Sequence, residues 1–343
     1  MHPSAMAFGP GVARHALLRR TDAELDDLEQ YRSELTGYCY RMLGSAFEAE
    51  DAVQETLIRA WRRIDGFEGR SSLRSWIYAI ATNVCLDMLR SQQRRAMPMD
   101  VAAPSPATAT LMTALPEPTW IEPVPDDRVL PRDGDPAEVA VARESIRLAF
   151  VTALQHLPPR QRAVLILRDV LRWRTDEVAD LLGATATSVK STLQRARATL
   201  AVVGASPADQ RPHDPADDDL QQLLVRYVDA FERLDMVALV DLLHEDAIFT
   251  MPPNDLWLQG AATIAAWWTT GLGTACRGAT FRPLAGANGS PALALYKPDD
   301  DGRRAAFAIQ VVEVSGGRIS SLHTFLRPEL LPLFGQPAFL AGR

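Results

Sequence analysis

The stretch Thr175–Leu200, TDEVADLLGATATSVKSTLQRARATL, admits few structures. Val178, Leu181 and Leu182 make one apolar stripe at helical spacing, and Thr175 stands where a side-chain oxygen can cap the first turn. Gly183 falls where that helix must end, at a left-handed residue that costs little only for glycine. Thr185 is placed to cap a second helix, in which Val189, Leu193, Ala196 and Leu200 share one buried face. Ala179 is small where the two helices have to cross. The spacing predicts a helix-turn-helix.

The outward side of the second helix carries Thr187, Ser188, Lys190, Ser191 and Gln194, flanked by Arg195 and Arg197. No acidic residue occurs from Gly183 to Leu200. Short polar and basic groups on a tightly crossed helix are what a reader of the DNA major groove requires. A plain helical hairpin with a solvated basic face rarely combines Ala179, Gly183 and an acid-free second helix. The net charge of the 343 residues is nevertheless −7, so DNA affinity has to come from local faces and from a partner. Lys190 and Lys297 are the only lysines among 36 cationic side chains, a bias toward guanidinium that suits phosphate. Cys39, Cys85 and Cys276 are scattered without a CxxC pair, so neither a zinc site nor a disulfide framework is indicated. No metal or cofactor is expected. With no apolar run of membrane length and no secretory segment, a cytoplasmic protein without membrane attachment is expected.

Ahead of this stretch the chain is helical again. Residues 1–21 lack periodicity and read as a tail. A helix from Asp22 to Gly44 places Tyr31, Leu35, Tyr38, Cys39 and Met42 on one face. Ser45 and Glu48 have capping-box spacing and announce a second helix to Ile64. Its stripe is Ala52, Val53, Thr56, Leu57, Ala60, Trp61 and Ile64, with Glu50, Asp51, Gln54, Glu55, Arg59 and Arg62 outward. A loop, Gly66 to Arg70, leads to Ser71 and Ser72 as caps of a third helix, Leu73 to about Arg95. Leu73, Trp76, Ile77, Ile80, Ala81, Val84 and Met88 point inward; Arg74, Tyr78, Asn83, Asp87, Arg90, Arg94 and Arg95 are expected outside or at the edge. Arginines interleaved with aromatic rings suit single-stranded nucleic acid.

The segments EAEDAVQETLIRAWRRI, FEGRSSLRSWIYAIATNVCLDMLR, LPPRQRAVLILRDVLRWRTDEVADLLG and SVKSTLQRARATL together resemble regions 2 and 4 of an extracytoplasmic-function sigma factor of the sigma-70 family. The resemblance spans Tyr31 to Leu200 apart from a linker. It implies a subunit that binds bacterial RNA polymerase core and directs it to promoter DNA. Asp51, Gln54, Glu55 and Arg59 then fall on the core-binding helix. Arg70, Arg74, Trp76, Tyr78, Asn83 and Arg90 fall where the minus-ten element is opened and read. Thr187, Ser188, Lys190, Ser191, Gln194, Arg195 and Arg197 fall on the helix that reads the minus-thirty-five element. Relatives often have a small capping residue at the position of Arg174, and Thr175 is expected to take over that cap. The resemblance also accounts for the acidic net charge, because polymerase supplies most of the DNA contact.

Between these regions, Ala96–Pro136 holds nine prolines and excludes long helices. Its acids outnumber Arg128 and Arg132. A plain acidic spacer has that composition too; within the family, a linker threading the polymerase's basic channels is favoured, with negative charge standing in for phosphate. Trp120 is the residue expected to anchor it. A helix from about Ala137 to Leu157 and another from Arg160 to Leu171 complete region 4.

Beyond a polar tether, Gly204–Asp219, the pattern changes. Helices Leu220–Arg233, Met236–Leu243 and Gly260–Gly271 mix with strands Ala247–Met251, Ala279–Leu284, Ala292–Tyr296, Ala305–Val314 and Arg318–Phe325. YVDAFERLDMVALVDLLHEDAIFTMPP is similar to the SnoaL-like polyketide cyclases, which implies an α+β cone with an apolar pocket. In isomerase-like relatives a catalytic Asp precedes the proline; here Met251 precedes Pro252, and a thioether cannot abstract a proton. Asp235 and Asp246 have capping or turn roles open to them, His244 stands near a helix C-terminus where it suits the dipole, and His323 remains, so no catalytic residue is assigned. Trp257, Trp267 and Trp268 are candidates to line a ligand pocket, with Trp267 better suited to the core.

The expected architecture is therefore multidomain: two all-α domains followed by an α+β SnoaL-like domain. The boundaries are a tail at 1–21, region 2 at 22–95, a Pro-rich acidic linker at 96–136, region 4 at 137–203, a tether at 204–219 and the SnoaL-like domain at 220–343. The expected function is an alternative sigma factor regulated in cis by its C-terminal domain, with a small-molecule ligand as the further candidate partner. A self-sufficient helix-turn-helix repressor leaves the region-2-like half unexplained, and Met251 counts against an enzyme with a DNA-binding appendage.

Overall fold

Ser45 and Ser72 start two of the three helices described in the N-terminal module. The computed structural model describes residues 28–340 except 70, 91–93, 111–113, 115, 117–119, 132–134, 204–216 and 270–277. The tail at 1–21 and the tether from 204 to 216 therefore lie outside the described residues, as does Cys276. Helix α1 (Arg32–Leu43) ends at Gly44, φ 72°. Ser45 Oγ accepts the Glu48 N–H at 3.2 Å and opens α2 (Ala46–Arg63). Ser72 Oγ accepts the Ser75 N–H at 3.0 Å and opens α3 (Leu73–Met88). Leu35, Tyr38, Cys39, Met42, Val53, Ile77 and Val84 fill the space between them.

Three expectations for this module are corrected. Tyr78 is fully buried, because region 4 packs over the helix face that periodicity leaves open. Arg95 lies beyond the end of α3 and folds inward, pairing with Glu48 at 2.6 Å and donating to the Trp120 carbonyl at 2.7 Å. Trp61 is 45% exposed: Ala60 keeps the inward position near the end of α2, and the next residue is rotated about 100° away from it.

The proline-rich linker docks. Its described residues include two short turns of helix, α4 (Pro98–Val101) and α5 (Asp126–Val129). Trp120 is 2% exposed and anchors the segment as expected, while the Ile121 N–H bonds to the Ala96 carbonyl and the Glu122 N–H to that of Gly44. Farther along, Arg128 pairs with Glu50 on α2.

Region 4 begins with α6 (Pro136–Glu144) and α7 (Leu148–Gln155), where the sequence predicts a single helix. The break falls where Ser145 and Arg147 are buried, and Arg41 Nε reaches Ser145 Oγ at 3.0 Å. Tertiary pairing overrides helix propensity there. Next come α8 (Pro159–Leu165), a π-helical turn Ile166–Val170, α9 (Thr175–Leu182) and α10 (Ala186–Val203). Gly183 is left-handed at φ 59°, and Thr185 Oγ1 accepts the Ser188 N–H at 3.1 Å. Thr175 does not cap α9. Arg174 is the N-cap residue, and the Glu177 carboxylate satisfies its N–H at 2.7 Å.

The C-terminal domain comprises α11 (Asp218–Glu232), α12 (Met236–Leu242), β1 (Leu243–Thr250), β2 (Trp257–Gln259), α13 (Ala261–Thr269), β3 (Thr280–Pro283), β4 (Ala292–Pro298), β5 (Arg304–Ser315), β6 (Arg318–Phe325) and β7 (Phe339–Leu340). The sheet order is β2-β1-β6-β5-β4-β3 with β7 on β5, and β1 runs parallel to β6. Strands β2 and β7 are additions to the expected set. On the inner face, under α11–α13, Phe231 meets Phe281 and Trp268, and Phe249 meets both Trp267 and Trp268, with ring centroids 4.9–5.9 Å apart. The outer face, through Ala292, Ala294, Tyr296, Ile309, Val311 and Phe325, shares one apolar core with the helical modules. The central strands are thus buried on both sides. That is unlike an antiparallel sheet with one face in water.

Candidate nucleic-acid and polymerase interfaces

Thr187, Ser188, Lys190, Ser191, Gln194, Arg195 and Arg197 are all exposed or partly exposed on α10, while Val189, Leu193, Ala196 and Leu200 are buried beneath them. Gly183 and Thr185 aim that face outward by fixing where α10 starts. Arg197 pairs with Asp169 at 2.6 Å and Arg195 Nη2 donates to Thr192 Oγ1 at 3.2 Å, so both guanidiniums are pre-positioned.

On α2, Asp51 and Gln54 are exposed, and Glu55 and Arg59 are half-buried. Arg59 joins Glu55 at 2.6 Å and approaches Asp87 of α3 at 4.0 Å. The four residues form one outward strip.

The region-2 set is divided. Arg70 lies outside the described residues. Asn83 and Arg90 are exposed, with Arg90 3.2 Å from Asp87. Trp76 is half-buried against Phe67, centroids 5.2 Å apart. Tyr78 is enclosed, and burial pushes its phenol pKa up. Arg74 is held by Glu34 at 2.8 Å, with its guanidinium carbon 5.3 Å from the Tyr78 ring and 5.2 Å from the ring of Trp173. Neither Glu34 nor Trp173 was singled out by sequence, since contacts 40 and about 100 residues apart leave no local pattern.

The C-terminal domain meets both regions and the linker at one turn. Asn288, fully buried at φ 55°, donates from Nδ2 to the Tyr40 hydroxyl and to the Ile146 carbonyl, each at 2.6 Å. Its Oδ1 accepts the Val124 N–H at 3.0 Å. Gly289 N–H donates to Asp126 at 2.7 Å, and burial raises that carboxyl to about 6. Glu122, which accepts from Ser45 Oγ at 2.5 Å, pairs with Arg327. Arg147 lies 3.9 Å from Glu313, itself 3.9 Å from His323. Burial works to raise the Glu313 pKa, but His323 and Arg147 outweigh it and hold it below the ordinary range.

The residues weighed for catalysis have other employment. Asp235 Oδ1 accepts the Ala238 N–H at 3.1 Å as an N-cap. His244 Nδ1 accepts the Asp246 N–H at 3.3 Å. His323 Nδ1 lies 3.0 Å from Thr250 Oγ1 on the outer face. Met251 is buried. Trp257 reaches the linker, its Nε1 donating to the Ala102 carbonyl at 2.9 Å, and Trp267 does the same to Ala109 at 2.9 Å. Trp268 sits among the inner-face rings, so it packs the interior.

Two helical modules with a helix-turn-helix, followed by a cone-shaped α+β domain, define a sigma factor of the sigma-70 type. Residues 27–95 match Sigma-70 region 2, 147–200 match Sigma-70 region 4, and 224–322 match a SnoaL-like domain. The chain is 45% identical over 309 residues to the ECF RNA polymerase sigma factor SigG of Mycobacterium tuberculosis, spanning 90% of this chain and 82% of that one. It belongs to the ECF RNA polymerase sigma factors. SigJ of the same organism is 29% identical over 326 residues, across 89% of this chain and 92% of its own. The crystal structure of M. tuberculosis SigJ has the same fold, with a TM-score of 0.58 at 23% identity, covering 91% of this chain and 99% of that one. A sigma factor works with RNA polymerase core and promoter DNA. Among the described residues, no helix is long and apolar enough to cross a membrane.

Proposed function

We propose that this sigma factor is held closed by its own C-terminal domain and opens on polymerase. The observation that carries this is the Asn288 junction, where one buried side chain bonds to region 2 at Tyr40, to the linker at Val124 and to region 4 at Ile146. In the open form Asp51, Gln54, Glu55 and Arg59 bind core in the cytoplasm. Lys190, Arg195 and Arg197 hold upstream promoter phosphates, while Thr187, Ser188, Ser191 and Gln194 read bases. Arg70, Arg74, Trp76, Asn83 and Arg90 serve the minus-ten element, and Tyr78 supports them from within. In this reading the six segments expected from sequence are the functional units, with the linker serving both states: docked when closed, threaded through polymerase when open.

The C-terminal domain acts by packing and not by catalysis, a role supported by Met251 at the position of the base and by the aromatic filling of its inner face. A small molecule has a place to act. A cavity of about 340 Å³ between α11 and the β3–β4 hairpin is bordered by Asp126 and Gly286, two residues from Asn288. Pull-down with core polymerase, followed by transcription from promoters selected by the reconstituted holoenzyme, tests the function. Absence of core binding by the full chain contradicts it.

A further inference from the structure

The Arg74 guanidinium is engaged by one carboxylate and by two aromatic rings. The Glu34 carboxylate takes the edge in a bidentate pair, with Nε 3.1 Å from both oxygens and Nη2 2.8 Å from one. The guanidinium carbon lies over the Trp173 indole, 5.2 Å from its centroid, and over the Tyr78 ring at 5.3 Å, the two rings standing 4.9 Å apart. A carboxylate on the edge and a flat heteroaromatic ring against the cation present what one nucleotide presents: an anionic phosphate and a base. Both groups come from this chain, one from region 2 and one from region 4.

Local structure delivers the indole there. The π-helical turn Ile166–Val170 ends α8, and Arg172 takes a left-handed φ of 60°, unusual for a residue with a long side chain. That reversal points Trp173 away from its own helix-turn-helix and into region 2, where it is 5% exposed. Its Nε1 is buried with no hydrogen-bond partner among the described residues, a standing cost that leaving the site would relieve. Asp169, inside the same turn, pairs with Arg197 of α10 at 2.6 Å, so the turn ties the indole to the DNA-reading helix.

We propose that Glu34 and Trp173 form an internal nucleotide surrogate on Arg74, which an unpaired promoter nucleotide replaces when regions 2 and 4 separate. The proposal rests on the assignment of Arg74 to the minus-ten surface. Region 4 thereby masks region 2 in the free factor, while the outward face of α10 stays open. A base stacked on Arg74 and the indole cannot be present together, so the two compete for one guanidinium.

The test uses the full chain and a fluorescein-labelled oligothymidylate, followed by anisotropy. Trp173→Leu keeps the apolar burial but removes the ring, and binding should tighten about 5- to 30-fold, the range of a desolvated cation–π contact. Trp173→Phe keeps a ring over Arg74 and should stay within about twofold of wild type. Adding Arg74→Ala to Trp173→Leu should abolish the gain. If Trp173→Leu melts, Glu34→Gln frees the same guanidinium from region 2 itself and should tighten binding in the same direction. In holoenzyme, where the surrogate is displaced, Trp173→Leu should leave promoter opening unchanged and Arg74→Ala should reduce it. Unchanged oligonucleotide binding by folded Trp173→Leu and Glu34→Gln, with Arg74→Ala still impairing opening, overturns the surrogate and leaves the minus-ten assignment standing. Normal opening by Arg74→Ala holoenzyme overturns both.

Discussion

The Asn288 amide donates to the Tyr40 hydroxyl at 2.6 Å, joining residues 248 positions apart. The same nitrogen reaches the Ile146 carbonyl, and the amide oxygen receives the Val124 N–H. Burial pushes the Tyr40 phenol pKa up, which keeps it a neutral donor to the Glu122 carbonyl at 2.8 Å. Asn288→Ala strands several buried polar groups and places alanine at a left-handed φ. A loss of about 2–4 kcal/mol is expected, read as a lower thermal midpoint.

Glu122 and Arg327 form a buried pair between linker and C-terminal domain. Replacing Arg327 alone leaves the buried Glu122 carboxylate without its cationic partner, at a cost of about 3–5 kcal/mol, whereas replacing Glu122 costs less because Arg327 keeps Glu329. Replacing both with apolar residues should recover much of that loss. A double-mutant cycle in denaturant checks it, and additive losses would show that the pair does not couple the two domains.

Asp126 gives the closed form a pH dependence. Burial raises its carboxyl to about 6, against a lowering contribution from the Gly289 N–H and Arg143 and a raising one from Asp127. A carboxyl whose folded pKa is raised binds its proton more tightly when folded. Its contribution is fully present below about pH 4 and is lost as pH rises through about 6. The domain should therefore dock more firmly at pH 5 than at pH 7. Asp126→Asn should remove that difference, as measured by hydrogen exchange of Asn288 and Gly289.

The core-binding strip is tested by charge reversal. Asp51→Arg with Glu55→Arg should weaken core polymerase binding while changing stability by only about 0.5 kcal/mol, since Asp51 is exposed and the Glu55–Arg59 pair is half in water. On α10, Lys190→Ala should lower the salt slope of promoter binding by about 0.9 for each phosphate that is no longer neutralised. Gln194→Ala should instead change the preference among upstream sequences by about 1–3 kcal/mol. Uniform weakening on all sequences would make Gln194 a positioning residue.

Much of this was legible from spacing. The caps Ser45, Ser72, Thr185 and Asp235, the turn at Gly183 and the outward face of α10 follow local rules, and the structure obeys them. Tyr78 and Trp173 were not legible, because helix periodicity says which face is apolar but not which module will cover the other. The two-sided burial of β5 had a signal in the run AFAIQVVEV, which is too apolar for a strand with one wet face. Asn288 had none. An Asn-Gly pair announces a turn, and nothing local says that the turn will be buried among three other segments.

The closed-to-open transition is tested most directly by the distance between region 2 and the C-terminal domain. Asn83 and Val237 are exposed, Cys39 and Cys85 are buried, and Cys276→Ser removes the remaining thiol. Spin labels at Asn83→Cys and Val237→Cys should give one narrow distance distribution in the free chain. Addition of core polymerase should shift that distribution to longer distances, and Asn288→Ala should broaden it before polymerase is added. An unchanged narrow distribution on core polymerase would contradict the account and make the docked arrangement the working form of the factor.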